Sequence, residues 1–265
     1  MLRLMEVEMR RALSKRSVRA LIGLALVLIG ITGTIAFVNS SGFDPSISSA
    51  HIARMSDFWG GNDDNVLGVV LFFLVVGGLI AGATVTGGEW RAGTVTTVLT
   101  WEPRSVRLLS ARLIACLVPA VLVAILLQLV LMGALVPTWL VHGTTTGVDA
   151  AWWGEALGAM ARGALVTGLA AVAGASVASL GRNTTAALIS AFVYLVFIEN
   201  GVRGFQPDLG RFLIGENGAI FLTAENLETA DFTRSPFTAF LTLLIYVMIL
   251  AGLAIVTFTR RDVAN

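Results

Sequence analysis

The sequence predicts an all-α membrane protein: six transmembrane helices, an N-terminal interfacial elbow helix, and short re-entrant outer helices before the last span. Three observations carry this expectation. Hydrophobic residues make up 56% of the 265-residue chain and charged residues 13%, whereas a soluble domain carries about a quarter charged residues. Runs free of Asp, Glu, Lys and Arg cover residues 20–43, 66–88, 113–148, 163–181, 183–198 and 235–259, and a spanning helix needs about 20 apolar residues. The charged blocks between these runs alternate in sign, as they do where Lys and Arg stay on the cytoplasmic side of a bilayer.

One set of blocks holds thirteen Lys/Arg against five acids (Glu6, Glu8, Glu89, Glu102, Asp262); the other holds five Arg against twelve acids. Both termini and the loops 87–112 and 181–184 are therefore expected on the cytoplasmic side. The chain reads as one multi-pass transmembrane domain, residues 1–265, of a bacterial inner (cytoplasmic) membrane. Arg outnumbers Lys seventeen to one, a bias associated with high-GC genomes. The first apolar run is too long for a signal-peptide core, and no small-residue cleavage site follows it.

Residues 1–16 are amphipathic. Leu2, Met5, Met9, Ala12 and Leu13 share one helical face, and Arg3, Glu6, Arg10 and Ser14 fill another, with Glu6 and Arg10 at the favourable i, i+4 spacing. Such a helix lies in the interface with its arginines toward anionic headgroups. The six spans are expected near 18–38, 66–86, 111–136, 160–180, 184–201 and 237–259. Gly78 and Gly82 on span two form a G-x-x-x-G face for close packing, within the chain or along a dimer seam. Cys116, the only cysteine, reads as a small packed hydrophobe, and Gln128 in span three as a hydrogen-bonding partner of a neighbouring helix or a substrate contact.

Arg182 in the turn Gly181-Arg182-Asn183-Thr184 separates spans four and five. The fifth run is short, so Glu199 sits either at headgroup level or at an early helix end. Arg162 and Glu199 suit a packing or gate ion pair, with snorkelling to the interface the simpler reading. Residues 201–235 mix aromatic and aliphatic side chains with Gly and acids, which predicts outer half-buried helices. Trp139, Trp152 and Trp153 on the outer side and Trp90 and Trp101 on the inner side are placed as an aromatic belt.

The segment 87–110 is the longest cytoplasmic stretch between spans, and Val95, Val98, Leu99 and Trp101 make it partly apolar, so a docked helix is expected there. Pro103 breaks it and Ser105 is placed to cap the next helix. The order Glu89, Gly93-Thr94, Leu99, Pro103-Arg104-Ser105, Leu109 and Arg112 resembles the corresponding loop of type-2 ATP-binding-cassette permeases, six-span exporter subunits. Their pattern is E-x3-G-T, a leucine, P-x-S/T/R, and a basic residue entering the third span. The chain departs from it in having Arg112 where the family more often has Lys, a conservative change at an exposed helix start, and in a loop rich in tryptophan.

The resemblance implies that 87–110 is a coupling loop on a separate ATPase subunit, with Glu89, Trp90, Arg91, Gly93, Thr94, Pro103 and Arg104 transmitting ATPase closure to the spans. It also implies a second permease copy or a paralogue, and spans one, two and five lining a central cleft. The expected cargo is hydrophobic or amphipathic: a drug, an antibiotic peptide or a lipid-like molecule. Gln128, Gly78, Gly82 and Glu199 are the candidates for substrate path or helix packing. The chain has no G-x-x-x-x-G-K-[ST] phosphate loop, so it is expected not to be an enzyme; ATP and Mg belong to the partner ATPase. His51 and His142 lack the partners of a metal or catalytic site. No cofactor and no nucleic acid are expected as ligands of this chain. The alternatives are an ion-coupled secondary carrier, which would need intramembrane carboxylates and inverted repeats, or a non-transporting anchor or assembly subunit.

Overall fold

The structure, a computed structural model, describes residues 2–42, 53–58, 66–91, 93, 105–224 and 233–262. Among these 91% are helical and no strand is present. The elements run α1 (Leu2–Ser14), α2 (Arg16–Asn39), α3 (Val66–Arg91), α4 (Ser105–Val141), α5 (Ala150–Gly181), α6 (Thr184–Val193), a π turn (Tyr194–Ile198), α7 (Glu199–Phe205), a 3-10 turn (Pro207–Phe212), α8 (Ile214–Thr223) and α9 (Pro236–Asp262). Six helical stretches are long and apolar enough to cross a membrane, which makes this a multi-pass membrane protein: α2, α3, α4, α5, the continuous run from α6 through α7, and α9.

Several helices outrun their charge-free runs. The fourth span, expected from 160, begins at Ala150, where Asp149 accepts a hydrogen bond from the Trp152 backbone amide at 2.8 Å. Glu155 and Arg162 do not break it, because isolated charges on one helical face leave the backbone ladder intact. The third span runs from Ser105 to Val141 through Pro119 and Pro137, as apolar spans tolerate when neighbours support the freed backbone groups. The segment between α3 and α4 is correspondingly 92–104, shorter than the expected 87–110.

α5 is the central element, packed against α3, α4 and α9. It is the most buried of the six spans, and the fifth span is the least. Small residues allow the close approach of α3 and α5. A Cβ on Gly78 would come 2.6 Å from the Thr167 carbonyl oxygen, and one on Gly82 would collide with the Ala171 carbonyl. The Gly78/Gly82 face is thus occupied within the chain.

The core divides along the bundle axis. One cluster gathers Phe58, Leu131, Leu135, Trp139 and Trp152; another gathers Leu109, Leu113, Cys116, Ala175 and Phe258 at the end carrying both termini. Two belt assignments are corrected here. Trp139 and Trp152 are buried, Trp139 edge-on to Phe58 and Trp152 with its indole N–H donated to the Ser56 carbonyl at 3.2 Å. Of the three expected there, Trp153 alone is exposed. His142 stacks on Phe37; His51 and Trp101 lie outside the described residues.

Candidate functional site

At the end of the bundle that carries both termini, four charged side chains from α1, α3 and α4 meet Lys15 of the α1–α2 link. Arg112, in the second turn of α4, is 2% exposed, and its guanidinium lies 2.7 Å from a Glu89 carboxylate oxygen in the last turn of α3 and 3.5 Å from Glu8 of α1. Arg11 reaches both carboxylates, at 3.4 Å to Glu89 and 3.6 Å to Glu8. The Lys15 ammonium stands 3.6 Å from Glu89 and donates to the Val85 carbonyl. Burial holds the Lys15 pKa below the ordinary lysine value of 10.5, with the Glu89 carboxylate opposing that shift.

Charges are buried only when paired, and the sequence shows how these come to be. Met5, Glu8, Met9 and Ala12 follow i, i+3, i+4, i+7 spacing, and this stripe of α1 faces the protein, with Glu8 and Ala12 buried. Leu13, expected on the apolar face, is 40% exposed. Leu108, Leu109, Arg112 and Cys116 likewise share one buried stripe of α4. The expectation that Arg112 is exposed is therefore corrected: it sits among apolar neighbours and answers the acids of α1 and α3. Glu6 and Arg10 pair at 2.8 Å on the exposed face of α1, as their spacing predicts.

Trp90 follows Glu89 and turns to the other side of α3. The Arg182 guanidinium lies 4.8 Å over its ring, and Phe258 of α9 packs edge-on at 6.0 Å. Arg182 itself is left-handed (φ 51°) at the end of α5, and Asn183 caps α6 by accepting from the Thr185 amide at 2.9 Å. Residues 89, 90, 112, 182 and 258 thus tie the ends of α3, α4, α5 and α9 together around the start and end of segment 92–104. Gly93 is exposed with φ +66°, a left-handed conformation that glycine adopts without strain. The Arg91 side chain, Thr94, Pro103 and Arg104 lie outside the described residues.

The remaining candidates make packing contacts. Gln128 is buried and donates to the carbonyls of Ala124 (3.1 Å) and Met160 (3.3 Å), bridging α4 to α5. Glu199 does not pair with Arg162, and the helix continues past it. It is 4% exposed and accepts from the Gly215 amide at 2.6 Å, while the Tyr194 hydroxyl accepts from the Ile214 amide at 3.3 Å. Two free amides at the start of α8 are so satisfied, with a carboxylate at the positive end of its dipole. Arg162 donates through Nε to the Leu222 carbonyl in the last turn of α8, at 3.2 Å. Around α8, Arg203 pairs with Glu216 at 2.6 Å, buried Asn217 donates to Arg211 and Leu213, and Tyr246 of α9 donates to Phe212 at 2.8 Å.

Comparison with protein-family models gives no match to this chain, and comparison with curated proteins gives none either.

Proposed function

We propose that this chain is the membrane-spanning permease subunit of an ATP-binding-cassette exporter, working as a pair with a second copy or a paralogue on two separate ATPase subunits. In this reading α1 is the interfacial elbow, residues 207–223 form the re-entrant outer helices, and 92–104 is the coupling segment. Both termini face the cytoplasm of a bacterial inner membrane. Closure of the ATPase pair would push on 92–104, and the spans would switch a cleft from inward to outward access, moving a hydrophobic or amphipathic cargo.

The observation that supports this reading best is the buried charge cluster. A segment that transmits force needs stiff attachments at both ends, and among the described side chains Glu89 and Arg112 are the last and first buried charged groups flanking 92–104, paired to each other and to α1. The loop pattern Glu89, Gly93-Thr94, Pro103-Arg104 adds the resemblance. The test is co-purification with an ATP-binding-cassette ATPase expressed alongside it. Gly93→Ala strains the left-handed entry to the segment without touching the bundle, and is expected to lower ATPase stimulation and transport together while the complex still forms. ATP hydrolysis and transport unchanged in Gly93→Ala and in a polar replacement of 94–101 would overturn the coupling role.

A further inference from the structure

The structure assigns a second site: a cavity between α3, α5, α6, α8 and α9 that binds an anionic amphiphile, its negatively charged head on Arg162 and its apolar chain between the helices. The cavity holds about 1160 Å³, at or above the roughly 300–1,000 Å³ of clefts that take drug-sized ligands. Its walls are mostly apolar, with Val75, Leu79, Val166, Leu169, Leu243 and Leu250 along its length, and the Tyr194 and Tyr246 rings also line it. Among the described residues two lining residues are charged, Arg162 and Glu155. Glu155 is exposed and lies two helical turns nearer the start of α5, about 10 Å along its axis, at the mouth. A smaller apolar cleft of about 300 Å³ between α2, α3 and α4 has no charged lining residue among the described residues.

Arg162 is the group that points to a ligand. It lies about 18 Å along α5 from Ala150, within a membrane-spanning helix, where an ionisable side chain is costly and marks function. Its one partner among the described residues is the Leu222 carbonyl, taken by Nε. A guanidinium has five N–H donors, and the four on its Nη atoms have no acceptor among the described residues. Neither Nη is sealed by protein, and Nη1 passes over Gly158, which also lines the cavity. A half-buried cation with an unused fork beside a long aliphatic cleft matches a phosphate, sulfate or carboxylate head on a hydrocarbon chain. This site does not depend on a partner ATPase, so it stands or falls separately from the exporter reading.

The test uses the purified full chain in dodecyl maltoside and follows its unfolding temperature as a function of added ligand, since a ligand bound to the folded state raises it. The probes are dodecyl phosphate, dodecyl phosphocholine (the same chain with a zwitterionic head) and inorganic phosphate. Dodecyl phosphate is expected to half-saturate at a concentration about tenfold or more below that of dodecyl phosphocholine, and inorganic phosphate to have no effect in the same range. Arg162→Gln should raise the dodecyl phosphate value to that of the phosphocholine, with Arg162→Lys between. Because Arg162 also holds the end of α8, Gly218→Phe gives an independent arm: Gly218 faces the cavity and its side-chain position is open. Gly218→Phe should weaken both alkyl ligands with the light-scattering mass unchanged. Equal binding of the two alkyl ligands, an unaltered Arg162→Gln, or saturation by inorganic phosphate alone would overturn the site. So would a change of mass in Gly218→Phe, which would make the cavity a seam between subunits.

Discussion

Replacing Glu89 by Gln is the sharpest test of the charge cluster. Glu8 and Glu89 face Arg11, Lys15 and Arg112, so the cluster carries one excess positive charge. Glu89→Gln keeps the side-chain shape but leaves three cations around one acid. Arg112→Met instead leaves two acids with two cations, and Glu89 retains Arg11 at 3.4 Å and Lys15 at 3.6 Å. Breaking a buried pair by removing one partner costs about 3–5 kcal/mol. With Glu89 4% exposed and Arg112 2% exposed, solvent can do little to offset that loss. Glu89→Gln is therefore expected to cost about 3–5 kcal/mol, a fall in unfolding temperature on the order of 10 °C, and Arg112→Met less. The double variant should be more stable than the sum of the single losses by about 1–3 kcal/mol. The assay is thermal unfolding of the purified chain in a neutral detergent, on a complete double-mutant cycle. A loss below about 1 kcal/mol in Glu89→Gln, or strict additivity, would refute the claim that these groups act as one buried unit.

Gly82→Ala should unfold well below the wild type, because its Cβ meets the Ala171 backbone, whereas Gly77→Ala on the same helix meets open space and should be neutral or slightly stabilising; thermal unfolding of the pair separates the two. Gln128→Met should cost only about 1 kcal/mol and leave transport intact, since its two hydrogen bonds go to backbone carbonyls and its Oε1 has no partner; a transport defect without a stability defect would make it a substrate contact. Glu199→Gln should cost about 1 kcal/mol by weakening the charge at the start of α8, read as faster amide exchange in 214–223 with little change elsewhere. The lowered pKa of Lys15 fixes a sign: between its folded value and 10.5 the unfolded chain binds more protons, so stability contributed through Lys15 rises with pH across that window. The wild type should therefore gain on Lys15→Met as pH climbs toward 10.5, and a gap that narrows would contradict the burial.

The spans were legible because a bilayer imposes length and apolarity on each one separately, so residues 66–88 announce α3 without knowledge of any neighbour. Both termini fall at one end, as the even number of spans requires. Pairing was not legible in the same way. Glu8 and Arg112 are 104 positions apart, and nothing local to either says that they meet. The signal was nevertheless present: each is the charged member of an otherwise apolar stripe, Met5-Glu8-Met9-Ala12 and Leu108-Leu109-Arg112-Cys116. The same blindness to tertiary context explains Trp139 and Trp152, since a tryptophan near a span's end suits a membrane interface and a core equally well. It also explains the late start given to the fourth span, where two lone charges resembled a boundary.

The π turn at Tyr194–Ile198 has a consequence for how span five can vary. Each α-helical residue advances about 100°, so in an unbroken α-helix Tyr194 and Glu199 would stand about 140° apart. The i to i+5 turn instead stacks them, and both reach the start of α8. The turn is thus a phase element between an upstream half whose Ile189 and Phe192 are exposed to the surroundings and a downstream half devoted to α8. Residue number, more than residue type, is what positions 195–198 must preserve, while Tyr194 must also keep its hydroxyl. Exchange among aliphatic side chains there leaves the phase alone, whereas loss of a single residue would swing Glu199 by about 100° out of its pocket and into hydrocarbon.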